Sequence, residues 1–133
     1  MNVAWNSKTE VILLVDDESG MRASCRQILA AEGYTVIEAD NGFEALILAA
    51  ERSGNVDLLL TCAALPGMSG ARLAGAFELL WPAVPVMYLM DETPQPTAQV
   101  RPGAAMVAKQ SLALQLKSRV DNLLEASKHS TIH

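Results

Sequence analysis

The sequence predicts a three-layer α/β protein, with helices on both faces of one parallel sheet. Short apolar runs alternate with segments of helical periodicity along the chain, which is typical of repeated strand–helix units. The first run, Val11 to Val15, has no polar alternation, as expected of a strand buried on both sides. The composition favours an aliphatic core, since 50% of the 133 residues are hydrophobic and only 5% are aromatic.

The first predicted helix follows the first apolar run. Ser19 is a candidate N-cap residue, and Gly33 is a candidate left-handed stop at the other end. Between them, Cys25 lies on the same helical stripe as three larger apolar residues, so we expect its side chain to face the core.

The second strand–helix unit covers residues 34–39 and 43–52, joined by the Asn41-Gly42 turn. Its helix is apolar around much of its circumference. A face outside the predicted core contains Phe43, Ile47 and Ala50. This face is either ordinary exposed apolar surface or a partner-binding surface.

The remaining elements complete a five-strand pattern. The predicted strands and helices are 58–61, 71–80, 85–89, 104–108 and 112–126. Three prolines between residues 91 and 102 leave room for little more than one helical turn, so the fourth helix should be shortened or irregular. We expect one domain over residues 11–126, an N-terminal extension over 1–10 and a frayed tail over 127–133.

Polar or unusual residues follow four of the predicted strands. In open parallel sheets, ligands bind outside the carboxyl ends of the strands, where the strand order reverses. The residues that this rule selects are Asp16, Asp17, Cys62, Met90 and Lys109. Adjacent aspartates supply the oxygen ligands that magnesium prefers, so the acidic pair is a candidate metal site.

Three motifs carry a resemblance to a known family. They are the Val-Asp-Asp-Glu run ending at Glu18, the Leu-Pro-Gly-Met-Ser-Gly run over 65–70, and the spacing from Gly103 to Lys109. With these motifs the chain resembles the receiver domain of bacterial response regulators, from about residue 11 to 124. The resemblance implies a flavodoxin-like, doubly wound (βα)5 fold with strand order 2-1-3-4-5.

The resemblance also implies a phosphorylation site, from which this chain departs. In the family an acidic pair binds magnesium and an aspartate accepts a phosphoryl group, while a hydroxyl residue and a lysine end the fourth and fifth strands. Asp16, Asp17 and Lys109 match that pattern. The phosphoacceptor position is Cys62, the hydroxyl position is Met90 and the aromatic switch position is Met106. We expect Met90 and Met106 to be packing residues that make the pocket more apolar.

A thiol does not replace the acceptor carboxylate. Cysteine ionises near pH 8.5, nearby carboxylates oppose that ionisation, and sulfur is a poor ligand for magnesium. We therefore expect weakened magnesium binding and a receiver that is not phosphorylated in the usual way. The leading hypothesis is a stand-alone, non-enzymatic receiver that acts by binding a histidine kinase, another two-component protein or a second copy of itself.

Other hypotheses stay open. Cys62 could be a redox-sensing thiol, because a nearby lysine lowers a thiol pKa, or simply a small buried side chain. An active receiver could instead use Asp57 or Asp91 as its acceptor. A nucleotide-binding domain is disfavoured, since acidic residues rather than a glycine-rich loop follow the first strand.

The charge and cysteine content limit the class of protein. A net charge of −5 and a pI near 4.9 argue against nucleic-acid binding, which needs a cationic surface. No apolar stretch approaches the length of a membrane span, so we expect a cytoplasmic protein with no membrane partner. The two cysteines form no metal-binding or disulfide pattern, and we expect both to be reduced.

Overall fold

A computed structural model describes residues 10–91 and 103–130. Five strands form one sheet: β1 (Val11–Val15), β2 (Thr35–Ala39), β3 (Leu58–Cys62), β4 (Val86–Met90) and β5 (Ala105–Ala108). All neighbouring strands are parallel, and their order is β2-β1-β3-β4-β5. The predicted fold class and strand order are confirmed.

Within the described residues, four helices cover the sheet: α1 (Ser19–Ala31), α2 (Gly42–Glu51), α3 (Gly70–Leu80) and α4 (Leu112–Ser130). A short 3-10 turn over Lys109–Ser111 leads into α4. The shortened helix that the prolines predict between β4 and β5 lies outside the described residues, as do residues 1–9 and 131–133.

The core has two halves, one on each face of the sheet. Alternate residues of β1 and β3 point to opposite faces, so each strand contributes to both halves. Cys25 and Leu29 of α1 pack with Leu116 and Val120 of α4 on one face. On the other face, α2 and α3 pack against the sheet through residues such as Phe77. The prediction that Cys25 faces the core is confirmed, since its exposure is 0%.

Helix ends follow local hydrogen bonding. Asn41 caps α2, because its side-chain oxygen accepts a hydrogen bond from the Glu44 amide at 2.8 Å. Gly33 has a φ of 95°, so it provides the left-handed stop after α1 that the sequence predicts. The prediction that Ser19 caps α1 is wrong: Glu18 is the N-cap residue, and its side chain makes no capping hydrogen bond.

The last helix is longer than the sequence predicts. It ends at Ser130 rather than at Ala126, and no glycine or proline interrupts residues 112–130. Lys128, in the added turn, forms an ion pair with Glu10 at 2.6 Å, which ties this end of α4 to the residue before β1. Among the residues that the structure describes, every helix is too short or too polar to cross a membrane.

Candidate functional site

Side chains at the carboxyl ends of β1, β3, β4 and β5 come together in one cluster, which we call the crevice. Asp16 follows β1, Cys62 is the last residue of β3, and Lys109 follows β5. Because the strands are parallel, their carboxyl ends lie at one edge of the sheet. The structure therefore brings together three side chains that are separated by up to 93 residues in the sequence.

Cys62 and Lys109 are in direct contact. The Lys109 ammonium donates a hydrogen bond to the Cys62 Sγ at 3.2 Å, and the thiol lies 3.4 Å from the Ala64 carbonyl oxygen. Lys109 Nζ also lies 3.7 Å from Asp16 Oδ2 and 3.5 Å from Asp91 Oδ1. The ammonium thus lies between the sulfur and two carboxylates, and Cys62 is only 3% exposed.

Asp16 is fully buried and held from several sides. Its amide donates to the Ala39 carbonyl, and its Oδ1 accepts a hydrogen bond from the Glu18 amide at 3.0 Å. Arg22 donates to the Asp16 carbonyl oxygen at 2.6 Å and also pairs with Glu38. Within the described part of the chain, Asp16 Oδ2 has no hydrogen-bond partner, although Lys109 lies near it.

The crevice disfavours charge on the Asp16 carboxyl and on the Cys62 thiol. Burial raises the pKa of Asp16, and the Glu18 amide and Lys109 offset this effect only in part. Burial and then the charge of Asp16 raise the pKa of Cys62, although its hydrogen bond from Lys109 lowers it. The Cys62 thiol is consequently protonated at neutral pH.

Lys109 stays charged in this setting. Burial acts to lower its pKa, but contact with Cys62 and the charges of Asp16 and Asp91 outweigh that effect and raise the pKa. Because the thiol is protonated at neutral pH, the two carboxylates are the groups that favour the charged ammonium there.

A reactive thiol needs exposure and a lowered pKa, and Cys62 has neither. Cys25 is less suited still, since burial raises its pKa to about 12. The redox-sensor hypothesis is therefore not favoured. The description of Cys62 as a small buried side chain fits its surroundings better.

The two alternative acceptors lie in different places. Asp57 precedes β3, at the opposite edge of the sheet, where its carboxylate accepts a hydrogen bond from the Val11 amide at 2.7 Å. It cannot take part in the crevice. Asp91 does lie at the crevice, because its Oδ1 is 3.5 Å from the Lys109 ammonium, and its side chain is 56% exposed.

The two methionines of the predicted site differ in burial. Met90, at the end of β4, is 7% exposed and packs with Ala63 and Tyr88 beside the crevice. Met106, in β5, is 37% exposed, and its expected packing role stays a prediction. Met90 thus adds a buried apolar side chain at this edge of the sheet.

Comparison with known proteins identifies the family. Residues 12–121 match the response regulator receiver domain. The chain belongs to this family. It is 30% identical over 122 residues to the sensor kinase CckA of Brucella abortus, covering 90% of this chain but 13% of that protein.

Two further relatives have similar receiver domains. The chain is 40% identical over 72 residues to sporulation initiation phosphotransferase F of Bacillus subtilis, covering 53% of this chain and 56% of that protein. A crystal structure of a response regulator from Chloroflexus aurantiacus matches with a TM-score of 0.79 and 28% identity, over 89% of this chain and 99% of that one. The chain is thus similar to a small part of one curated relative and about half of the other.

The donor set does not fit the magnesium site that the receiver resemblance implies. One ligand atom each from Asp16, Asp17 and Cys62 lies within 4.8 Å of the other two. Magnesium binds carboxylate oxygens and water, and the two aspartates suit it. The third position holds sulfur, which magnesium does not favour.

Sequence reasoning missed two residues of this receiver that position the site. Arg22 fixes the Asp16 carbonyl, and only its place one turn into α1 could have indicated this contact. Gly70 begins α3 against the backbone of Cys62 and Ala63: an added Cβ would collide with the Cys62 carbonyl oxygen and lie 3.0 Å from Ala63 Cα. The Pro-Gly-Met-Ser-Gly run indicated a turn there but not this close approach.

Proposed function

We propose that this receiver domain acts in two-component signalling by binding partner proteins, without accepting a phosphoryl group at position 62. One observation carries the proposal: a thiol, rather than a carboxylate, lies 3.2 Å from the Lys109 ammonium at the end of β3. Asp16, Asp17 and Lys109 are the acidic pair and the lysine of the pocket, and Cys62 is its degenerate acceptor position. Met90 and Met106 are its degenerate switch positions.

The chemistry of the crevice supports this proposal. Phosphoryl transfer to a side chain needs an ionised nucleophile and a hard cation that neutralises the phosphoryl oxygens. The Cys62 thiol is protonated at neutral pH, and its sulfur replaces a potential magnesium ligand. Lys109 already contacts the sulfur and two carboxylates, so a phosphoryl group would compete with these contacts for the ammonium.

The partners that we propose are proteins. Receiver domains of two-component systems interact with histidine kinases, and a histidine kinase or another two-component protein is the proposed partner here. A second copy of the chain is a further candidate. Phe43 and Ile47 on α2 are 58% and 59% exposed, which supports an apolar contact surface on that helix. We propose no enzymatic activity, no nucleic-acid or membrane partner, and a cytoplasmic location.

The decisive test is to restore the missing carboxylate. Wild type, Cys62→Asp and the double variant Cys62→Asp, Met90→Thr are incubated with magnesium and a small phosphodonor, then analysed by intact mass. We expect no stable phosphoryl adduct on the wild type and a phosphoryl adduct on Cys62→Asp. The double variant should retain the adduct longer, because the restored hydroxyl can donate a hydrogen bond to a phosphoryl oxygen.

Two controls separate the acceptor from other carboxylates. Cys62→Ser supplies no carboxylate at the same position and should stay unmodified. Asp91→Asn tests the alternative acceptor, since Asp91 is an exposed acid in contact with Lys109. A stable adduct on the wild type would refute the proposal, and its loss in Asp91→Asn would identify Asp91 as the acceptor.

A further inference from the structure

The crevice contains an unsatisfied buried carboxylate oxygen. Asp16 is 0% exposed, and its Oδ2 finds no hydrogen-bond partner among the described residues. A buried charged oxygen without a hydrogen bond is costly, and such groups are usually paired or bound to a metal. One carboxylate oxygen of Asp16 also lies within 4.8 Å of ligand atoms from Asp17 and Cys62. The arrangement thus points towards a bound cation.

Lys109 does not fully replace that cation. Its ammonium lies 3.7 Å from Asp16 Oδ2, too far for a hydrogen bond, and donates to the Cys62 sulfur instead. The same ammonium has an alternative partner in Asp91, whose carboxylate is 56% exposed and 3.5 Å away. Lys109 can therefore move towards Asp91 when another cation takes its place.

The three ligand atoms match a thiophilic metal better than magnesium. Two carboxylate oxygens and a thiolate are a mixed set of hard and soft ligands, which suits zinc and similar divalent ions. We propose that Asp16, Asp17 and Cys62 bind a thiophilic divalent cation of the zinc class, with water as the fourth ligand. This inference goes beyond the proposed signalling role and does not depend on it.

The geometry needs only a small contraction. Zinc–ligand distances of about 2.0–2.3 Å place neighbouring ligand atoms roughly 3.5 Å apart in a tetrahedral site. The three ligand atoms lie within 4.8 Å of one another, so they must approach by a little over an ångström at most. Asp17 is exposed, so its side chain can make most of this movement. The thiol proton passes to water when the sulfur binds the metal.

Cobalt(II) provides a direct test, because it substitutes for zinc and its thiolate complexes absorb in the near ultraviolet. The metal-free chain of 133 residues is titrated with cobalt(II), and a thiolate-to-cobalt absorption band is expected. Zinc should remove the band at equimolar concentration, whereas a large excess of magnesium should leave it. Cys25→Ser is the matched control: it lies in the apolar core and should keep the band.

Two variants test the assigned ligands. Cys62→Ser should lose the band, with its fold checked by circular dichroism. Asp17→Asn changes an exposed residue that is expected to tolerate substitution, and it should weaken cobalt binding by about 10-fold or more. Zinc should also raise the Tm of the wild type, and less so that of Asp17→Asn, which gives a readout even if Cys62→Ser does not fold.

Two results would overturn the inference. One is the absence of a thiolate band in the folded wild type, and the other is a band that persists in Cys62→Ser. Zinc binding without a thiolate band would place the ion on other residues, such as the histidines of the tail, and would count against this site. None of these results depends on the phosphodonor experiment, so the two proposals fail separately.

Discussion

The two edges of the sheet differ in how their acidic residues are paired. At the amino edge, the Asp57 carboxylate accepts a hydrogen bond from the Val11 amide, and Glu10 pairs with Lys128. At the carboxyl edge, Asp16 is fully buried and one of its carboxylate oxygens lacks a hydrogen bond within the described chain. The pairs at the amino edge contribute to folding stability. At the carboxyl edge, burial of the incompletely hydrogen-bonded Asp16 carboxylate costs folding free energy, which is typical of functional sites.

The largest expected change in stability is at Gly70, where α3 packs against the backbone at the carboxyl edge of the sheet. Gly70→Ala places a Cβ against the Cys62 carbonyl oxygen, with backbone rather than flexible side-chain atoms in the way. We expect the free energy of unfolding to fall by about 3 kcal/mol, within the range for severe overpacking. Urea denaturation followed by circular dichroism measures the change.

Gly75→Ala is the matched control, in the same helix. An added Cβ there meets no heavy atom within 4 Å, and alanine favours a helix over glycine, so stability should rise by about 0.5–1 kcal/mol. Equal effects of the two substitutions would show that the close approach of α3 to Cys62 is absent in solution.

The next largest change in the free energy of unfolding is expected for substitution of Asp16. Its folded-state pKa is raised, chiefly by burial, so ionisation of Asp16 opposes folding. In metal-free buffer, Asp16→Asn should therefore increase the free energy of unfolding at pH 7 by roughly 1 kcal/mol, a common gain when a functional-site cost is removed. Chemical denaturation with a chelator present measures this difference.

The stability that Asp16→Asn gains over the wild type should increase as the pH rises. Below the unfolded pKa, near the reference value of 3.8, Asp16 is protonated in both states and the variant has no electrostatic advantage. As pH rises through the raised folded pKa, the wild type loses stability relative to Asp16→Asn. A variant that is less stable than the wild type at pH 7 would show that the Lys109 ion pair outweighs burial.

The smallest effect is expected at the amino edge. Asp57→Asn keeps an acceptor oxygen for the Val11 amide but removes its charge, so stability should fall by roughly 0.5 kcal/mol. The same Asp-to-Asn change would then have opposite signs at the two edges. Denaturation of both variants under the same conditions measures the two stability changes. If Asp57→Asn also raised stability, the two edges would not differ in sign.

The fold could be predicted from the sequence because its local signals agree. The uninterrupted apolar runs of β1 and β3, the Asn41 cap and the Gly33 stop each indicate one structure. The end of α4 could not be predicted, since its stabilising contact is the ion pair of Lys128 with Glu10, far away in the sequence.

The site could be predicted in part. The rule on strand ends selects Asp16, Cys62 and Lys109, which the structure brings together. It does not indicate which acids approach the ammonium: Asp91 does, whereas Asp57 lies at the other edge. The exposure of Met106 also could not be read from its apolar side chain, because exposure depends on the neighbouring elements rather than on residue type.

The missing side chain at Gly70 has a mechanical consequence. Since the first turn of α3 rests on the peptide groups of Cys62 and Ala63, and Gly70 donates its amide to the Ala63 carbonyl, helix and strand end are joined without intervening atoms. Any ligand that displaces the main chain at position 62 must also displace the start of α3. The crevice is thus linked rigidly to α3, whose far end lies at the surface of the domain.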